Sequence, residues 1–246
     1  MSNRTMGRMA AAVATAAGIA VLAPAAAQAQ PARTDTVVSV QAAAQKPAHL
    51  TVGSYKAYLK KNWAKGGRET AAKFAKLTPA QQRKFLRHLE DRKVYEALRN
   101  QVEGGFGRSL HIVDPYNEDV EFVTDVTARI AKDDAGTLTV RFSVQERIFD
   151  IPVTTETITV KGATQGEGRS KKAVTKAHLK NVNAAIAITA GPTRAASKGA
   201  VTRGSVTWTA KPQVRAFGAK KVVKEQGAAA VVVKTNRSFV ASLANV

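Results

Sequence analysis

Residues 120–130 read Val120-Glu121-Phe122-Val123-Thr124-Asp125-Val126-Thr127-Ala128-Arg129-Ile130, and after a turn at Asp133-Asp134-Ala135-Gly136 the chain continues Leu138-Thr139-Val140-Arg141-Phe142-Ser143-Val144. Val120, Phe122, Thr124, Val126, Ala128 and Ile130 share one parity, as do Leu138, Val140, Phe142 and Val144. A period of two sends successive side chains to opposite faces, so these runs predict an antiparallel hairpin with one buried face. Further short runs at 148–154, 155–161, 182–188, 201–209, 220–224 and 228–235 extend the pattern. Pro152 demotes its run to an edge or a bulge, because proline donates no ladder hydrogen bond. Many short strands separated by turn residues predict an antiparallel sandwich or a barrel-like region. The stretch 174–187 is ambiguous, since its alanines and lysines suit a helix as well as a strand.

Upstream, the period changes to 3.6. Tyr55, Tyr58, Leu59 and Trp63 fall on one face of a first helix and Lys56, Lys60, Lys61 and Lys65 on the other, with Gly66-Gly67 ending it. The aromatic face is expected to pack a helical core. A second short helix carries Ala71, Phe74 and Ala75 on one stripe. Thr78-Pro79-Ala80-Gln81 has the form of a helix start: a threonine cap, proline at the first helical position and glutamine reaching back. Phe85, Leu86 and Leu89 then lie nearly opposite Val94, Tyr95, Leu98 and Val102 if the helix continues straight. One core cannot bury both stripes, so a break near Asp91 is expected, with Asp91 capping the next turn. Val102 is read with this helical block, which Gly104, Gly105 and Gly107 close. The fold class is therefore α+β, a small helical unit over residues 51–107 followed by a β domain over 108–246.

At the N-terminus, Arg4 and Arg8 precede an apolar run over residues 9–22, Pro24 breaks it, and Ala27-Gln28-Ala29 supplies a small-x-small site. That order predicts a secretory signal peptide over residues 1–29, handled by the general secretory route. Fourteen apolar residues make a helix of about 21 Å, too short for a hydrocarbon core of about 30 Å. Residues 30–50 are rich in Ala, Gln and Pro and are expected to be a flexible lead-in. The chain of 246 residues has no cysteine, which excludes disulfide scaffolds and thiolate metal sites and points to a bacterial source for an exported protein.

Charge supplies the functional expectation. There are 38 Lys+Arg against 18 Asp+Glu, a formal +20. The excess is segregated: residues 46–102 carry +10, residues 103–167 carry −6, and residues 168–246 carry +14 with Glu225 as their one carboxylate. The acidic middle cannot neutralise both flanks, so a basic face is expected to bind an outside polyanion: a wall phosphate polymer, an acidic polysaccharide, nucleic acid or an anionic lipid surface. The residues expected to carry it are Lys60, Lys61, Arg83, Lys84, Arg87, Arg169, Lys171, Lys172, Lys176, Lys220 and Lys221. This predicts a non-catalytic protein, secreted and a candidate for retention at the cell surface, with no cofactor.

Two other classes stand beside it: a secreted hydrolase whose site assembles only in the fold, and a protein-binding module such as an inhibitor of an extracellular enzyme. Ser109, His111 and Asp114 lie too close together on one extended segment to form a working triad. His49, His88, His111 and His178 lack zinc-site spacing, and the acidic groups near Asp114, Glu118 and Asp119, or at Asp133-Asp134, lack the alternation of a calcium loop. Glu121, Asp125, Glu146 and Glu156 could supply a carboxylate pair for glycoside hydrolysis, and solvated strand faces account for them equally.

Overall fold

The computed structural model describes residues 45–131, 136–163, 173–233 and 237–246. The signal-peptide stretch, most of the lead-in, the Asp133-Asp134-Ala135 turn, and Arg169, Lys171 and Lys172 lie outside the described residues.

Among the described residues four helices come first: α1 (Val52–Lys61), α2 (Gly67–Phe74), α3 (Pro79–Glu90) and α4 (Arg92–Ala97), with a 3₁₀ turn at Trp63–Lys65 between α1 and α2. Thr78 caps α3 in a reciprocal box with Gln81, and Asp91 ends α3 and accepts from Lys93 N to start α4. The break at Asp91 lets Phe85, Leu86 and Leu89 share a core with Val94, Tyr95 and Leu98. Tyr55 and Leu59 are buried as expected, but Trp63 is 48% exposed, because the chain leaves α1 at Asn62 and the indole sits on the 3₁₀ turn. Gly66 makes the next reversal at φ +97°, where a side chain would be strained and would also run into Lys180.

Eleven strands follow among the described residues: β1 (Asn100–Gly105), β2 (Ser109–Pro115), β3 (Val120–Ile130), β4 (Thr137–Ile148), β5 (Ile151–Ala163), β6 (Val174–Asn181), β7 (Ile186–Ala190), β8 (Arg194–Lys198), β9 (Val201–Pro212), β10 (Val222–Val232) and β11 (Arg237–Asn245). Every pairing between them is antiparallel. One sheet is a meander, β2-β3-β4-β5-β6. The other runs β1-β11-β10-β9, with β7 and β8 lying end to end along the free edge of β9. The sheets pack face to face over one hydrophobic core without merging, so the β region is a sandwich and not a closed barrel.

The predicted hairpin is β3–β4, with Val126 opposite Phe142 and Ala128 opposite Val140. Pro152 sits at a bulge where the β4–β5 register shifts. Several boundaries differ from the sequence expectation. Val102 belongs to β1, not to a helix, because residues 100–105 pair with β11. The ambiguous stretch is strand through Asn181, whereas 182–185 connects β6 to β7. The runs beginning at 220 and 228 contribute to one strand, β10, which spans Val222–Val232. A two-residue turn joins β4 to β5 with Phe149 at φ 49° and Asp150 at φ 58°, the left-handed pair that suits a tight hairpin.

The helices close one end of the sandwich. Tyr55 Oη donates to Val182 O (3.2 Å), Asn183 Nδ2 donates to Leu89 O (3.2 Å), and Arg92 donates to Lys220 O (2.5 Å) and Lys221 O (3.3 Å). His88 pairs with Asp119 (2.9 Å) and its ring meets Phe149 edge-on. The cap thus rests on the β2–β3, β4–β5, β6–β7 and β9–β10 connections. Towards the other end the sheets close on each other at Gly204, where a Cβ would overlap Thr175 Oγ1 and lie 2.7 Å from Val160 Cγ2. Gly204→Ala is expected to cost about 1–3 kcal/mol by overpacking. Thr175→Ala in the same chain should restore part of it, as read from urea denaturation midpoints.

Candidate functional site

The basic residues expected to act together are distributed over several elements. Lys60 and Lys61 are exposed in the last turn of α1. Arg83 and Arg87 are exposed on α3. Lys84, on the same helix, is bound to Glu118 (2.6 Å) and Asp119 (2.5 Å) in the β2–β3 turn. Burial works to raise the Asp119 carboxyl, but hydrogen bonds from Lys84 and His88 outweigh it and hold the group below its ordinary range. The acidic turn is therefore spent on α3, and Asn117 Oδ1 is spent on the backbone N–H groups of Asp119 and Val120. Lys176 is exposed on β6, while Lys220 and Lys221 lie beside Arg92 at a separate groove of about 510 Å³.

A different combination of cations does converge. Between the 3₁₀ turn and strands β6 and β7 runs a groove of about 780 Å³. The cap contributes Tyr58, Asn62 and Lys65, and the sandwich contributes His178, Lys180 and Gln213. No carboxylate is among its lining residues. Alternation on β6 makes this possible: Lys176, His178 and Lys180 point outward, while Thr175 is buried. None of the sequence-predicted cations is among the lining residues; Lys61 immediately precedes the lining residue Asn62 in the chain, and Lys176 lies two residues before His178 on β6. Lys180 Nζ is 3.5 Å from Glu69 Oε2, and Glu69 is also held by Lys73 at 3.2 Å. The hydrogen bond from Lys73, together with the field of Lys180, keeps the Glu69 carboxyl below its ordinary range. Burial raises the Tyr58 phenol, which stays neutral and can donate. Two ammonium groups, a phenol and an imidazole thus border a floor that includes Ile186, an arrangement able to hold an anionic group against an apolar surface.

A second cluster is fully internal. Glu146 on β4, Glu156 on β5 and Lys224 on β10 have no exposed surface. They are not on solvated strand faces, which corrects the sequence reading; Glu121, paired with Arg147 at 3.1 Å, and the exposed Asp125, paired with His111 at 2.6 Å, do have solvent contact. Tyr95 Oη donates to Glu156 Oε1 at 2.7 Å. Lys224 Nζ donates to the carbonyl of Leu98, the C-cap of α4, and stands 4.7 Å from the centroid of the Tyr95 ring. Gln226 ties both sheets together: it accepts from Trp208 Nε1 (2.9 Å) and donates to Phe142 O (3.3 Å) and Glu156 O (3.1 Å). Glu156 Oε2 meets no partner in hydrogen-bonding geometry, and Glu146 has at most a loose one in cross-strand Thr154.

Desolvation pushes the Glu146 and Glu156 carboxyls up to about 7 and pulls the Lys224 ammonium down to about 8. Cross-strand Thr154 opposes the shift at Glu146 and Lys224 opposes it at both carboxyls, without cancelling it. A carboxylate pair of this kind is suited to proton exchange, but a glycan cannot reach side chains with no exposed surface. Ser109, His111 and Asp114 do not assemble as a triad: His111 is engaged by Asp125, and Asp114 has the opposite strand parity. No protein family, no curated protein and no solved structure matches the chain.

Proposed function

We propose that the protein is an exported, non-catalytic binder of an anionic polymer at or near a bacterial surface, and that the groove between the helical cap and strands β6 and β7 is where it docks. The observation that carries this reading is the groove's ionisable lining, in which Lys65, His178 and Lys180 face Tyr58 with no lining carboxylate. The surplus of cations over the whole chain supports it by raising the local concentration of any polyanion. Wall phosphate polymers, acidic polysaccharides, nucleic acid and anionic lipid headgroups share the chemistry such a groove recognises.

Single-stranded DNA serves as a test polyanion because its salt dependence counts phosphate contacts. Lys65→Gln with Lys180→Gln is expected to weaken binding and to lower the slope of log K against log salt by about 1.4, two contacts at about 0.7 each. Arg83→Gln with Arg87→Gln on α3 should leave that slope nearly unchanged. Equal losses from both pairs would show diffuse attraction and overturn the groove assignment.

A further inference from the structure

Strand β2 is one edge of the meander sheet, and β6 is the other. Just past the end of β2, Tyr116 N donates to Val120 O (2.9 Å), in the same register as the β2–β3 ladder. Alternate residues of an antiparallel ladder bond to the same neighbour, so the even-numbered residues of β2 turn their backbone groups to β3. Ser109, His111 and Val113 therefore present N–H and C=O groups outward, and Pro115, which has no N–H, ends that row.

Exposed edges of this kind are commonly guarded by lysines. β6 carries Lys176 and Lys180, but β2 has no Lys or Arg, in a chain of formal charge +20. It instead exposes Ile112 (36%), Val113 (45%) and, one residue beyond its end, Tyr116 (41%). The His111 ring does not cover the edge, because it is drawn along the sheet to Asp125 on β3 at 2.6 Å. Opposite charges mark the two ends of the strand: Arg108 immediately precedes it and Asp114 lies near its close. Both are exposed, and neither has an ion-pair partner among the described residues.

The geometry points to β2 as the docking edge for a second copy of this chain, paired antiparallel about a two-fold axis at Ile112. Ile112 is the midpoint of Ser109–Pro115, so this axis gives the fullest overlap. His111 of each copy exchanges backbone hydrogen bonds with Val113 of the other, and the two Ile112 side chains meet. The axis also sets unlike ends together: Arg108 of one copy comes diagonally beside Asp114 of the other, a separation that a long side chain spans. That self-complementarity is what selects a second copy as the occupant, because a strand of any other sequence finds the backbone groups but not the matching charges at both ends. Two five-stranded meanders then form one continuous sheet. This inference does not rest on what the groove binds, since the groove lies at the β6 edge.

Sedimentation equilibrium of the purified chain, in about 0.3 M salt to screen the cation surplus, reads the association. The wild-type mass is expected to approach that of two chains as the concentration rises to about 0.1 mM. Arg108→Glu alone and Asp114→Arg alone should each weaken the association by about tenfold or more, since each places like charges together at both ends. Mixed in equal amounts, the two variants should associate as the wild type does, because each then meets its complement; that recovery also shows that both fold. A wild-type chain that stays monomeric at about 0.1 mM, or a dimer indifferent to both reversals, overturns the proposal. Weakening in both variants without recovery in the mixture overturns the antiparallel pairing.

Discussion

Lys224→Met should lower the stability of the fold by about 3–5 kcal/mol at pH 7.5, the loss usual when one partner of a buried ion pair is removed. The methionine fills nearly the same volume, so packing around Tyr95 and Leu98 changes little and the loss is electrostatic. Glu156 would be left without its cation, and Leu98 O without its donor at the end of α4. Two further measurements separate that cause from a cavity. At pH 5 both carboxyls are largely neutral, so the same substitution should cost far less. Combining it with Glu156→Gln should recover part of the loss at pH 7.5, because Glu146 is then the one carboxyl of the cluster left without its cation. Urea denaturation of the two single variants and the double at both pH values gives the cycle. A penalty equal at pH 5 and pH 7.5 would contradict the ionic account.

The sandwich was legible wherever solvent lies on one side of a strand. In β3 and β4 the parity of Val126, Ala128, Val140 and Phe142 decides which face is buried. The α3 start was legible because capping is local chemistry, readable from Thr78, Pro79 and Gln81 alone. β1 was not, since Asn100-Gln101-Val102-Glu103-Gly104-Gly105 has one large apolar residue and becomes a strand only by pairing with β11. Gly104 is needed there for packing, as a Cβ would lie 3.0 Å from the Phe239 ring.

The internal cluster did leave a trace. Glu146 has the parity of Phe142, Val144 and Ile148, Glu156 that of Ile158 and Val160, and Lys224 that of Val222 and Ala228. A charge on an inward parity is the signal that a strand carries a buried ionisable group. What no local pattern contains is that the three strands bring these charges together. The groove is a similar case: Lys65 and Lys180 are more than a hundred residues apart, and segment charge totals do not say which loops meet.

The same cluster makes the stability profile of the wild-type chain run opposite to the common pattern, in which stability peaks between about pH 5 and 8. Glu146 and Glu156 hold their protons more tightly when folded, so the folded state binds more protons than the unfolded one between about pH 4.5 and 7. Their contribution is complete below that window and is lost as pH rises through it. Lys224 is shifted the other way, from 10.5 to about 8, so above 8 the unfolded state binds more protons and stability climbs again. A minimum is therefore expected between about pH 7 and 8, reached with a slope of up to about 1.4 kcal/mol per pH unit for each carboxyl that titrates. Self-repulsion among the surface cations works below this window, as exposed carboxylates become neutral, and so does not mask it. Thermal melting at constant ionic strength should show a higher Tm at pH 5.5 than at pH 7.5. The Glu146→Gln/Glu156→Gln chain should lose that difference. A wild-type Tm that rises steadily from pH 5.5 to 7.5 would mean that the core carboxyls are ionised throughout, and that water reaches them.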